Sequence, residues 1–253
     1  MSLLSVQNLS ISFEDISAVK DVSFDLSEKK ITALVGQSGS GKSVTALAIE
    51  GLVRKAKISG SIIFEGKNLL ELSEKELCKI RGKEIGIIFQ DPNTSLNPLH
   101  KIGKQIAEAI TIHNPKISKK HLRERIFELL KMVELESVKS RLNDYPHQFS
   151  GGQKQRIMIA IALANSPKIL IADEPTTALD VTIQSEILKL LLRLKNEMNL
   201  AILFITHNMG VVRKIADEVF EIKDGKIHPH PNPLPSREKL RQDLGQTPSP
   251  LRG

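Results

Sequence analysis

Tryptophan is absent and tyrosine occurs once, so aromatic residues make up only 4% of the 253 positions. A surface that stacks single-stranded nucleic acid is built from such side chains, and this chain has little material for one. Cysteine is as scarce: Cys78 stands alone. That excludes an internal disulfide and any zinc or iron–sulfur cluster held by this chain's thiolates, and it fits a reducing compartment. Cys78 itself is expected to be an inert packing residue. The longest apolar run near any motif, residues 157–164, falls far short of the roughly 18 residues of a membrane span. The amino terminus, MSLLSVQNLS, has neither a basic leader nor an apolar core with a cleavage site, so no secretory signal is expected and the cytoplasm is the default address.

What is present describes a folding chain. Hydrophobic residues at 40% and charged residues at 26% are ordinary for a globular protein, and the length suits one main α/β domain with an inserted or flanking subdomain. The net charge of +7 permits attraction to nucleic acid, an anionic membrane or a nucleotide without choosing among them. Apolar and polar residues alternate over 3–13 and 19–26, which predicts an antiparallel β layer. Residues 31–35 form a short apolar strand feeding a glycine-rich turn and a helix over 42–52. Further strands are expected at 61–64 and 85–89, with Ser73 and Glu76 as a capping box between them. From 102 to 164 the spacing is helical, notably at Leu122, Ile126, Leu129, Leu130 and Val133. Strands at 168–172 and 201–205 flank an amphipathic helix over 181–198, an alternation that implies a parallel sheet. Asp224-Gly225 reads as a hairpin turn. The proline-rich segment 229–253 reads as a disordered tail.

Three segments carry chemistry. Gly36-Gln37-Ser38-Gly39-Ser40-Gly41-Lys42-Ser43 joins a strand to a helix with the spacing of a phosphate loop: the glycines let backbone N–H groups face phosphates, Lys42 adds a point charge and Ser43 a magnesium ligand. Ile169-Leu170-Ile171-Ala172 ends in Asp173 and Glu174, which puts two acids at the carboxyl edge of a sheet. Asp173 is suited to hold magnesium, and Glu174 to orient and polarise an attacking water. Ser150-Gly151-Gly152 opens a further helix. By itself that triplet reads as readily as an ordinary helix cap.

Taken together, these segments and their order resemble the ABC ATPase family over nearly the whole chain, from about residue 3 to 227. The resemblance implies an α/β P-loop NTPase with an amino-terminal antiparallel β layer and a helical subdomain over about 91–165, within a domain spanning 1–228. It implies that Phe13 stacks on adenine and that Gln90 senses magnesium and the attacking water. Asp180, in TALD, would reach across a dimer, and His207 would contact the γ-phosphate, although a lone histidine at a strand end is as often structural. Ser150, Gly151 and Gly152 would bind the γ-phosphate of ATP held by residues 36–43 of a second such subunit. Phe149 stands where leucine is commonest, Asn208 where aspartate follows the histidine, and Lys29-Lys30 where Gly-Glu is usual.

FQDPNTSLNPL, YPHQFSGGQ and ADEPTTALDVTIQ are similar to the peptide and nickel uptake branch of that family. GKSVTALAI, SLNPLH and LFITHNMGVVRK resemble the first half of double-ATPase peptide importers. The resemblance implies ATP and Mg2+ as ligands and a second ATPase subunit, identical or not. It implies two membrane-spanning permease subunits and, indirectly, an extracytoplasmic binding protein, with no nucleic acid, at the cytoplasmic face of the membrane. A nickel importer, a soluble ABC ATPase of repair or translation, and a non-hydrolysing module are the alternatives.

Overall fold

The computed structural model describes residues 2–177 and 179–228; the expected tail at 229–253 lies outside them. Two long strands open the chain, β1 (Ser2–Phe13) and β2 (Ile16–Ser27), followed by β3 (Ile31–Val35) and helix α1 (Lys42–Ile49). Then come β4 (Lys57–Phe64), β5 (Lys67–Asn68), α2 (Glu74–Ile80) and β6 (Ile85–Ile88). Between β6 and the next strand the chain is helical, with α3 (Pro92–Ser95), α4 (Ile102–Thr111), α5 (Lys119–Met132) and α6 (Gly151–Ala162). The end of the described chain is β7 (Ile169–Asp173), α7 (Val181–Met198), β8 (Ala201–Thr206), α8 (Met209–Ile215), β9 (Glu218–Lys223) and β10 (Lys226–His228).

These strands form two sheets. One is antiparallel, in the order β2-β1-β4-β5; the other runs β10-β9-β3-β8-β7-β6 and is parallel except for the β9–β10 hairpin. The hairpin turns on Asp224 and Gly225, both at positive φ (51° and 79°), the two-residue turn that a right-twisted hairpin favours. Strands β3, β7 and β8 of this sheet are buried on both faces, as their nearly continuous apolar runs require, whereas β9, with Glu218, Glu221 and Lys223, is only partly buried. Leu170 and Ala172 of β7, with Ile202 and Phe204 of β8, join a core shared with α4 to α7. Their neighbours Ile169, Ile171, Leu203 and Ile205 join a second core with α1 and the antiparallel sheet. The period of two along each strand thus welds the helical face to the β layer. Among the described residues, no helix is long and apolar enough to cross a membrane.

Local chemistry sets the helix ends. The Ser73–Glu76 capping box is present on α2. Helix α1 stops three residues short of the expected 52, because Gly51 takes a left-handed φ of 61°. The Leu52 and Gly51 amides turn back to the Leu47 and Ala48 carbonyls at 2.8 and 3.0 Å, a Schellman closure. Cys78 is exposed rather than packed. Leu77 is the buried residue of that helix, and the next position lies about 100° round from it.

The end of α1 also holds a buried acid. Glu50 is 3% exposed, and its Oε1 has no hydrogen-bond partner. The Arg81 guanidinium nearby donates to the Glu50 and Gly51 carbonyls, at 2.6 and 2.9 Å, and pairs with Glu74. Burial pushes the Glu50 carboxyl up to about 7, against a smaller opposing pull from Arg81. A folded pKa raised above the usual 4.5 means that the cost of ionising Glu50 is absent below pH 4.5, grows between 4.5 and 7, and is complete above 7. Glu50→Gln is therefore expected to change pH sensitivity: relative to wild type its unfolding free energy should rise with pH across that window, by on the order of 3 kcal/mol at most. Urea titrations at pH 5 and pH 8 check it, and parallel pH dependence in the two proteins would refute the assignment.

Candidate active site

The phosphate-loop residues sit where β3 gives way to α1, and the geometry explains two of their glycines. A Cβ on Gly36 would lie 2.2 Å from the Ile222 carbonyl oxygen, and one on Gly41 2.6 Å from that of Ala18. Gly41 also has a φ of 106°, in a region that L side chains rarely adopt. The loop thus starts against β9 at Gly36 and ends against β2 at Gly41; Gln37, Ser38, Gly39 and Ser40 join the two points, with open space around Gly39. Phe13, at the end of β1, pairs with Ile16 at the start of β2, so the hairpin that carries Phe13 is the one whose Ala18 reaches Gly41. Phe13 itself is half-buried against the second core.

Lys42 is 5% exposed, and its ammonium donates to the Gly36 and Gln37 carbonyls at 2.9 and 2.8 Å. Burial lowers its pKa, while Glu174 and Asp173 pull the other way. Asp173, the last residue of β7, shows the opposite balance. Burial pushes its carboxyl up, against hydrogen bonding from Ser43 and the Lys42 charge, and the net shift is upward. Its Oδ1 is buried without a partner.

Glu174 has a positive φ of 45°, uncommon for a residue with a side chain and a mark of functional sites. Three donors converge on its carboxylate: His207 Nδ1 at 3.0 Å on Oε1, and Thr177 Oγ1 at 2.9 Å and Gln90 Nε2 at 3.2 Å on Oε2. Burial alone would raise this carboxyl; the His207 and Thr177 hydrogen bonds outweigh it and hold the pKa below its ordinary value. Gln90 follows β6, Glu174 follows β7 and His207 follows β8, so neighbouring parallel strands deliver all three at their carboxyl ends, where α/β sheets bind ligands.

Other expected site residues lie outside this cluster. Ser150 caps α6 through a box with Gln153. Gly151 and Gly152 lie against Leu179 and Ile183 at the start of α7, and a Cβ on Gly152 would meet Ile183 Cγ2 at 2.9 Å. Asp180 caps α7 by accepting from the Ile183 amide at 3.0 Å. Three of the four unusual residues, Phe149, Asn208 and Lys30, have local contacts. Arg141 stacks 4.4 Å over the Phe149 ring, Asn208 caps α8, and Lys30 pairs with Glu218. Sequence reasoning passed over Thr177; a hydroxyl three residues after the second acid, in DEPTT, was the available signal.

The ABC transporter family profile matches residues 19–177. The chain belongs to the ABC transporter family. This ABC chain is 51% identical over 232 residues to the oligopeptide transport ATP-binding protein OppD of Bacillus subtilis, covering 89% of itself and 64% of that protein. It is 50% identical over 231 residues to the dipeptide transport ATP-binding protein DppD of Lactococcus lactis, covering 89% of itself and 66% of the relative. The chain therefore spans about two thirds of the length of these curated relatives. Among solved structures it is similar to a dimeric ATP-binding cassette in a post-hydrolysis state with ADP and Pi. That likeness has a TM-score of 0.79 and 34% identity, over 89% of this chain and 97% of the other.

The packing around the ABC loop makes a direct prediction. Gly36→Ala puts a methyl group into the Ile222 carbonyl, and the displacement of β9 or the loop should cost about 2 kcal/mol of unfolding free energy. Chemical denaturation of the variant measures it, and unchanged stability would show that the loop has room to spare.

Proposed function

We propose that this chain binds and hydrolyses ATP to power an importer of di- or oligopeptides. The observation that carries the reading is the Glu174 carboxylate, held by Gln90, His207 and Thr177 beside the glycine loop of Lys42. Such an acid, fixed and kept ionised, suits a group that orients water and accepts its proton as the γ-phosphoryl bond breaks. Lys42 and the backbone N–H groups of 36–43 neutralise the phosphates, and Phe13 stacks on the adenine. The names of the relatives at about half identity favour peptides over nickel as cargo.

Magnesium fits the donors present. Asp173 has an unpartnered buried oxygen with the Ser43 hydroxyl beside it, a small oxygen set that leaves room for phosphate oxygens and water. Asp173 and Ser43, with Gln90 on the neighbouring Glu174, would hold the ion, which when bound would draw charge from the phosphate oxygens.

Two ATP-binding subunits close face to face, each nucleotide lying between residues 36–43 of one and Ser150, Gly151 and Gly152 of the other, with Asp180 reaching across. The N-capped start of α6 offers its amides to the γ-phosphate. Closure moves two permease subunits, a binding protein delivers the peptide from outside, and the ATPase sits at the cytoplasmic face of the membrane. The partner ATPase is a second copy or a companion chain; no nucleic acid takes part.

Lys42→Ala removes the point charge of the loop, and ATP affinity measured by calorimetry should fall by roughly 2 to 3 kcal/mol. Equal affinity would contradict the phosphate role. Glu174→Gln keeps the shape of the side chain but cannot accept a proton, so turnover should fall by about a hundredfold or more while ATP still bridges the subunits. Sedimentation in ATP and magnesium, with and without the companion chain, should show the closed dimer. A monomer under both conditions contradicts the shared site.

A further inference from the structure

We propose that Thr177 is a positioning residue for Glu174, its hydroxyl fixing the orientation of the carboxylate; this rests on the reading of Glu174 as the group that orients water. A carboxylate gripped at one oxygen can still swing about its last torsion, and a second grip on the other oxygen stops it. His207 holds Oε1, while Oε2 is shared by Thr177 Oγ1 at 2.9 Å and Gln90 Nε2 at 3.2 Å. Of the three donors, only Thr177 belongs to the turn that carries Glu174.

That turn is anchored independently of the site. The Thr177 amide donates to the Glu174 carbonyl at 3.2 Å, and the Leu179 amide to that of Thr176 at 3.3 Å. Thr176 is buried, and its hydroxyl accepts from Gln184 Nε2 on α7 at 3.1 Å. The two adjacent threonines thus divide the work: Thr176 faces inward and ties the turn to α7, while Thr177 faces outward and ties it to the carboxylate. Glu174, with its left-handed backbone, has its side-chain direction set by this anchored turn. Gln90 and His207 are both exposed and reach in from other strands, so Thr177 supplies the grip on Oε2 that remains when Gln90 moves.

The test compares Thr177→Val, which replaces the hydroxyl by a methyl of similar shape, with Thr177→Ser, which restores it. ATP turnover is measured against ATP concentration on the full chain together with the chains that co-purify with it. Thr177→Val should lower kcat roughly tenfold with KM within about twofold of wild type, and Thr177→Ser should return kcat to within about twofold. ATP affinity by calorimetry should be unchanged in Thr177→Val, and adding Glu174→Gln to it should slow turnover no further than Glu174→Gln alone. Wild-type kcat in Thr177→Val would overturn the proposal. So would a loss of ATP affinity to match the loss of turnover, or a serine variant as slow as the valine variant. Wild-type turnover in Glu174→Gln would instead overturn the reading of Glu174 on which the proposal stands.

Discussion

Two carbonyl oxygens, those of Ile222 and Ala18, occupy the space that a side chain on Gly36 or Gly41 would need. The loop after β3 leaves against β9 and returns against the amino-terminal hairpin, and at those two points only glycine fits. This packing fixes where Lys42 begins α1 and brings Ser43 against Asp173. It also sets the Phe13 hairpin beside the loop, so the two sheets meet at the place where phosphate chemistry is proposed.

The same region balances burial against charge. Lys42, Asp173 and Glu174 are each drawn away from their charged forms by desolvation and back toward them by an opposite charge or by hydrogen bonds, while Glu174 adds to the upward push on Asp173. Glu174 ends below its ordinary pKa because hydrogen bonds from His207 and Thr177, with the His207 and Lys42 charges, outweigh its burial; Asp173 ends above its own because burial outweighs the Ser43 hydrogen bond and the Lys42 charge, and one of its oxygens has no partner. An acid with satisfied oxygens stays ionised, whereas one with an orphaned oxygen is short of positive charge. That difference between adjacent residues matches the separate roles proposed for them, one toward water and one toward a cation.

Glu50 has no such role. It is a buried acid at the far end of the helix that begins with Lys42, and Arg81 beside it is spent on backbone carbonyls and on Glu74. Its ionisation is therefore coupled to the stability of α1 rather than to ligand binding.

The parts whose signals are local were legible in the residues alone. The apolar run of β3, the helix from Val181 to Met198 and the Ser73 capping box appear where spacing and capping chemistry put them, and the glycine spacing marked the loop. Local signals also erred where a neighbour decided the outcome. Gly51 closed α1 early through backbone bonds, and Cys78 fell on the exposed side of α2 because Leu77 took the buried one. Which residues meet at Glu174 depended instead on how distant segments pack. Gln90 and His207 are 84 and 33 positions away from it, and no spacing rule joins residues so far apart. They converge because β6, β7 and β8 lie side by side and parallel, so the loops at their carboxyl ends open onto one edge. The Thr177 contact had a local signal, a hydroxyl three residues after the acid, but such a hydroxyl becomes a donor to it only when the turn between them folds back.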